Sequence, residues 1–90
     1  MFSNLWMNIR KIFGDNVRYY RMQSGLSQAA VAVSMGVDRA YISSIERGGQ
    51  NATLHSVLEV AQALNVRPAD LLDETERPVA DAITADETSA

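Results

Sequence analysis

The side chains best equipped for chemistry in this sequence are arginines, amides and small hydroxyls near its centre. Arg39 opens a short helical stretch. Its planar guanidinium can take the O6 and N7 of a guanine together, worth about 1–3 kcal/mol of discrimination. The competing readings are a phosphate contact and a solvated arginine. Ala40 offers a methyl contact for thymine. Ser43 and Ser44, one turn on, either admit close approach to a nucleic-acid groove or are simply small residues on a helix surface. Tyr41 either stands over a phosphate or base edge or packs on the preceding helix. Ser27 and Gln28 begin another short helix, where unpaired backbone N–H groups and the positive dipole end suit a phosphate. Gln28 would donate to the same phosphate, and Ser27 is mainly the cap. Arg47, Gln50 and Asn51 lie at and after the end of the third helix, as DNA-backbone contacts or as a plain glycine-flanked loop.

Other chemistries have little to work with. The 90 residues contain no cysteine and one histidine, His55. Thiolate zinc sites and disulfides are excluded. His55 reads as a surface residue near a helix cap. There is no paired-carboxylate cleft, glycine-rich phosphate loop or activated nucleophile, so no enzyme is expected. No metal and no cofactor are expected either. No apolar run approaches the roughly 18 residues of a membrane span. The opening MFSNLWMNIRK places its basic residues after its apolar ones, the reverse of a secretory signal. The chain reads as cytoplasmic, associated with the nucleoid.

The elements that must position these residues are helices. Ile9, Ile12, Phe13, Val17 and Tyr20 form one stripe at helical spacing, and Gly25 stands where that helix would stop. Ser27 caps a second helix, Gln28 to about Met35, ended by Gly36. Asp38 caps a third, from Arg39 to about Arg47. Its Ile42 and Ile45 face inward above Val37, and Gly48-Gly49 ends it. Thr53 caps a fourth with Leu54, Val57, Leu58, Ala61 and Leu64 on one face. Pro68 suits the first turn of a fifth, anchored by Leu71 and Leu72, although Arg67 is a poor cap. Helices this short are unstable alone in water. They must share one core, with Leu26, Ala30, Val33 and Val66 added. The fold class expected is all-α: a five-helix domain over 9–73, a helix-turn-helix at about 27–47, an N-terminal extension at 1–8 and a flexible acidic tail at 74–90.

A net charge of −3 argues against nucleic acid only if it is evenly placed, and it is not. Residues 1–72 carry seven basic and five acidic side chains, whereas 73–90 carry six acids and only Arg77. The acidity sits in the tail, and whole-chain charge says little about the domain. Val79 and Ile83 in that tail have a weak helical spacing that a partner could use.

Two short helices joined by a glycine-containing turn, the second opening on an arginine, have the layout of a helix-turn-helix whose second helix enters the major groove. The sequence resembles the lambda-repressor-like family, the Cro/C1-type or XRE helix-turn-helix proteins. The resemblance is carried by R-x-x-x-G-L-S-Q at Arg21 to Gln28 and by G-V-D-R-A-Y-I-S-S-I-E-R-G at Gly36 to Gly48. L-x-x-A-x-A-L-N-V at Leu58 to Val66 and P-x-x-L-L at Pro68 to Leu72 complete it. The phrase from Asp38 to Arg47, followed by Asn51 and Thr53, is similar to controller proteins of restriction–modification systems. The family resemblance implies a five-helix lambda-repressor-like fold and a phosphate-binding role for Gln28. It also implies a partly buried ion pair between Arg21 and Glu46, structural rather than reading DNA.

The function expected is a sequence-specific DNA-binding transcriptional regulator without cofactor. It would act as a homodimer on palindromic double-stranded DNA, two copies about 34 Å apart. The resemblance puts the dimer surface on the outer side of the fourth helix, the fifth helix and Val66. Phe2, Leu5, Trp6 and Met7 would cover an apolar patch, in the dimer or within their own domain. An antitoxin, or an interaction module keeping the same fold, is the alternative. RNA polymerase, for an activator, or a toxin, for an antitoxin, is the further partner expected.

Overall fold

The computed structural model describes the backbone of residues 2–75 and the side chains of residues 9–75. These residues form five helices: α1 (Phe2–Gln23), α2 (Gln28–Met35), α3 (Arg39–Glu46), α4 (Leu54–Leu64) and α5 (Pro68–Leu71). No strand occurs among them.

The caps follow from local chemistry. Ser27 Oγ accepts from the Ala30 N–H at 2.9 Å, and Asp38 Oδ1 from the Ala40 N–H at 3.0 Å. Thr53 Oγ1 accepts from the Ser56 N–H at 3.0 Å. Each side-chain oxygen satisfies a first-turn donor that has no carbonyl of its own, worth about 1 kcal/mol. The turn between α2 and α3 needs Gly36, which sits at φ 71° and ψ 32°, a left-handed conformation that costs a side-chain-bearing residue energy. Arg67 caps α5 by another route. Its backbone N–H donates to Asp70 Oδ2 at 3.0 Å, so the carboxylate three residues ahead does what the arginine cannot. The same carboxylate takes the Arg67 guanidinium at 2.9 Å, and this hydrogen bond raises the arginine's pKa further.

One core holds the helices together: Phe13 and Val17 of α1, Val31 and Ala32 of α2, Ile42 and Ile45 of α3, Val57, Val60, Ala61 and Leu64 of α4, and Leu71 of α5. α3 packs on both α1 and α2, α4 backs α2, and α5 closes against α1 and α4. Asn16 is the one buried polar residue among the described side chains. Its Nδ2 donates to the backbone carbonyls of Leu71 at 3.0 Å and Asp73 at 2.8 Å. Asn16 thereby ties the end of the fold to its first helix.

Several expectations are corrected. α1 begins at Phe2, so the N-terminal extension at 2–8 runs as the first turns of that helix. Nothing between Phe2 and Ile9 breaks a helix. Leu26, Ala30 and Val33 are exposed, not core. α2 turns Val31 and Ala32 inward, and successive residues stand about 100° apart, so Ala30 and Val33 fall outside. On α4 the buried stripe is 57, 60, 61 and 64, which includes Val60 and leaves Leu54 and Leu58 in solvent. Ile9 and Leu72 are also exposed. α3 ends at Glu46, with Arg47 as its C-cap. The proposed acidic tail lies outside the described residues from 76 onward, as do Val79 and Ile83 and the side chains of Phe2, Leu5, Trp6 and Met7.

Candidate nucleic-acid interface

The expected site residues lie at Arg21 near the end of α1, at the cap and first residue of α2, on α3 and in the loop that follows. A continuous hydrogen-bonded chain links four of them. Arg21 Nε donates to Glu46 Oε2 at 2.6 Å, and a second guanidinium nitrogen donates to Oε1 at 3.0 Å. A third Arg21 nitrogen donates to the Leu26 carbonyl at 2.9 Å. Gln28 Nε2 also donates to Glu46 Oε1, at 3.1 Å, and Gln28 Oε1 accepts from an Arg39 guanidinium nitrogen at 2.9 Å. The chain starts nearly buried, with side chains 13% exposed at Arg21 and 4% at Glu46, and ends on exposed Arg39. Charge-assisted, two-pronged bonds of this kind are the strong ones.

The close approach of α1 to α3 that makes this possible depends on Gly14. A Cβ there would stand 2.2 Å from the Ile45 carbonyl oxygen and about 3.1 Å from that of Glu46. The backbone of α1 therefore lies directly against the last turn of α3, and Arg21, two turns further along α1, reaches Glu46.

The remaining site residues are also organised. Ala40 is exposed beside Arg39. Ser43 and Ser44 are half-buried. Ser43 Oγ accepts from Arg47 at 2.6 Å, and Ser44 Oγ from Gln50 Nε2 at 3.2 Å. Ser27 is committed to its cap. Tyr41 packs against the core, and its hydroxyl lies 3.4 Å from Ser56 Oγ at the start of α4. Asn51 is exposed, and its Oδ1 accepts from Arg10 Nε at 3.1 Å. Arg10 is a residue that the sequence alone does not place at the site. The contact spans 41 positions, and no local pattern signals it. His55 is on the surface, 3.3 Å from Glu59.

Residues 17–71 match the HTH_3 family model, whose description is helix-turn-helix. The chain belongs to the HTH_3 helix-turn-helix family. This HTH_3 chain is a DNA-binding regulator. It is similar to the control protein C.BamHI of Bacillus amyloliquefaciens, with 45% identity over 69 residues, covering 76% of this chain and 85% of the relative. It is similar to the control protein C.SmaI of Serratia marcescens, with 42% identity over 67 residues, covering 74% and 80%. Among solved structures it resembles the restriction-modification controller protein C.AhdI from Aeromonas hydrophila. There the TM-score is 0.66 and the identity 39%, over 69% of this chain and 94% of that one. These relatives are regulators rather than enzymes. The HTH_3 match begins at residue 17, so the first half of α1, with Arg10, precedes the matched segment. No helix among the described residues is long and apolar enough to cross a membrane.

Proposed function

We propose that the chain is a controller-type transcriptional regulator that binds palindromic operator DNA as a homodimer, with α3 as the recognition helix in the major groove. The observation that carries this reading is the hydrogen-bonded chain from Arg21 through Glu46 and Gln28 to Arg39. It delivers a guanidinium to the exposed N-terminal end of α3, held before any ligand arrives. Preorganised groups lose less freedom on binding.

In this reading Arg39 and Ala40 read base edges, and Ser43 and Ser44 line the approach to the groove. Gln28 and the N-terminus of α2 hold a phosphate, with Ser27 as the cap that orders that terminus. Arg47, Gln50 and Asn51 meet the backbone beyond α3, and Tyr41 contributes by packing α3 in place. Arg21 and Glu46 are structural. The DNA-binding domain spans 9–73, preceded by the first turns of α1 and followed by the acidic stretch. Work in the cytoplasm, on the nucleoid, is part of the same reading. The dimer surface is the outer side of α4 with α5 and Val66, where Leu54 is 85% exposed and Leu58, one turn on, 41%. Apolar side chains in a row on a surface helix favour burial against a second copy.

The test is selection from random duplex DNA, followed by titration of the enriched sequence at several salt concentrations. An enriched palindrome bound with a steep salt slope is expected. Absence of enrichment, with negligible binding at low salt, would overturn the reading in favour of an antitoxin-like or purely protein-binding module.

A further inference from the structure

Arg10 stands outside the helix-turn-helix segment, yet its side chain meets the loop that follows the recognition helix. Its Nε donates to Asn51 Oδ1 at 3.1 Å, and both residues are exposed. The backbones also touch at this corner. A Cβ on Gly48 would stand 3.4 Å from the Lys11 Cα and 3.8 Å from the Arg10 carbonyl carbon. So main-chain packing sets where the backbone of Arg10 lies relative to the end of α3.

An exposed hydrogen bond between two side chains contributes little to stability in water. What this one does is hold two donor groups side by side. The two terminal guanidinium nitrogens of Arg10 and the amide nitrogen of Asn51 make no hydrogen bond among the described residues. The charges around them are mostly of one sign. Arg47 lies on the neighbouring turn, bonded to uncharged Ser43, and Lys11 lies next to Arg10. Lys11 is paired with Asp15 at 3.1 Å, one turn along α1.

We propose that Arg10 and Asn51 form a clasp for one DNA backbone phosphate beyond the C-terminal end of the recognition helix. The first half of α1 would then extend the DNA footprint outside the family's matched segment. The inference rests on the DNA-binding reading above. An exposed guanidinium and side-chain amide with a net positive surround suit a phosphate diester, and their place beyond the end of α3 suits the DNA backbone rather than the base edges that α3 would face.

The experiment uses the full chain and a duplex enriched by selection, with a scrambled duplex beside it. Binding is read by anisotropy over several salt concentrations for the wild type, Arg10→Gln, Asn51→Ala and the double variant. Losing one phosphate contact lowers the slope of log K against log salt by about 0.9. Arg10→Gln is expected to show that drop and to weaken both duplexes by the same factor, roughly 5- to 10-fold at the lowest salt. The double variant should lose less than the product of the two single losses. A duplex carrying one neutral methylphosphonate, stepped through the operator flank, should at one position mimic Arg10→Gln in the wild type and cost nothing more in the variant. An unchanged slope overturns the clasp, whether affinity is kept or lost. A loss confined to the selected duplex overturns it too. Both the clasp and the broader reading fall if the wild type binds neither duplex. The clasp alone falls if wild-type binding is selective and Arg10→Gln leaves the slope intact.

Discussion

Gln28 divides its amide between two residues of α3: its nitrogen donates to Glu46 at 3.1 Å and its oxygen accepts from Arg39 at 2.9 Å. This arrangement fixes which way the amide faces, because only the oxygen can accept from a guanidinium and only the nitrogen can donate to a carboxylate. The orientation of a surface arginine is thereby set by a nearly buried acid that it does not touch.

Arg39→Ala is expected to remove about 1–3 kcal/mol of discrimination at a single base pair, leaving the melting temperature unchanged. Gln28→Ala should weaken binding to every duplex through the lost phosphate donor. It should also narrow the gap between the correct and the substituted base pair, because Arg39 loses its brace. Competition titrations against operators with single base-pair changes separate the two effects. If Gln28→Ala left that gap intact, the brace would be irrelevant to readout.

The Arg21–Glu46 pair makes an asymmetric prediction. Removing Arg21 alone strands a carboxylate that is 4% exposed, a loss of about 3 kcal/mol given incomplete burial. For a domain of this size that corresponds to a fall in melting temperature of order 10–20 °C. Replacing both, as Arg21→Met with Glu46→Leu, should recover much of that loss, since no charge is left unpaired. Thermal unfolding by circular dichroism gives the comparison. A double variant less stable than either single would contradict the argument.

Gly14→Ala tests the packing of α1 against α3. Intrinsic helix propensity alone favours the alanine by about 1 kcal/mol. The added Cβ would meet the Ile45 carbonyl oxygen at 2.2 Å, and backbone cannot step aside as a side-chain tip can. The two effects have opposite signs, and the clash is expected to dominate. Denaturant titration should show a lower midpoint, and a higher one would mean that α1 and α3 can separate at little cost.

Leu54→Asp and Leu58→Asp probe the surface assigned to dimerisation. Both side chains are exposed in the isolated chain, so neither change should lower the stability of the monomer much. Each should shift the monomer–dimer equilibrium toward monomer in sedimentation equilibrium and weaken binding to a palindrome more than to a half-site. Unaltered self-association in both variants would move the interface elsewhere.

The sequence disclosed these elements unevenly, for a physical reason. Ser27, Asp38 and Thr53 bond to amides two or three residues ahead, so their caps are legible in a short window. The Arg21–Glu46 pair spans 25 positions and was reached through the family resemblance. The Arg10–Asn51 contact spans 41, and nothing near either residue marks it. Burial is legible at Phe13 and Val17 of α1, but not at Ile9 of the same stripe, at Leu54, Leu58 and Val60 of α4, or at Leu72, and it fails on α2, where alanine and valine leave no unique apolar face. Two signals stood in plain view. Gly14 is a helix-weakening residue in mid-helix, which implies close approach of another backbone. Asn16 lies three residues from Phe13 and next to Val17, on the face that turns inward.

That placement of Asn16 changes how the shortest helix behaves in time. α5 has four residues and could not persist on its own helical bonds. Because an amide in the middle of α1 holds the carbonyls of Leu71 and Asp73, the last turn cannot fray without disturbing the first helix. The backbone amides of Asp70 and Leu72, which donate to the carbonyls of Arg67 and Ala69, should therefore exchange with solvent hydrogen far more slowly than those of an unanchored single turn. One side-chain amide thus latches the shortest helix to the longest.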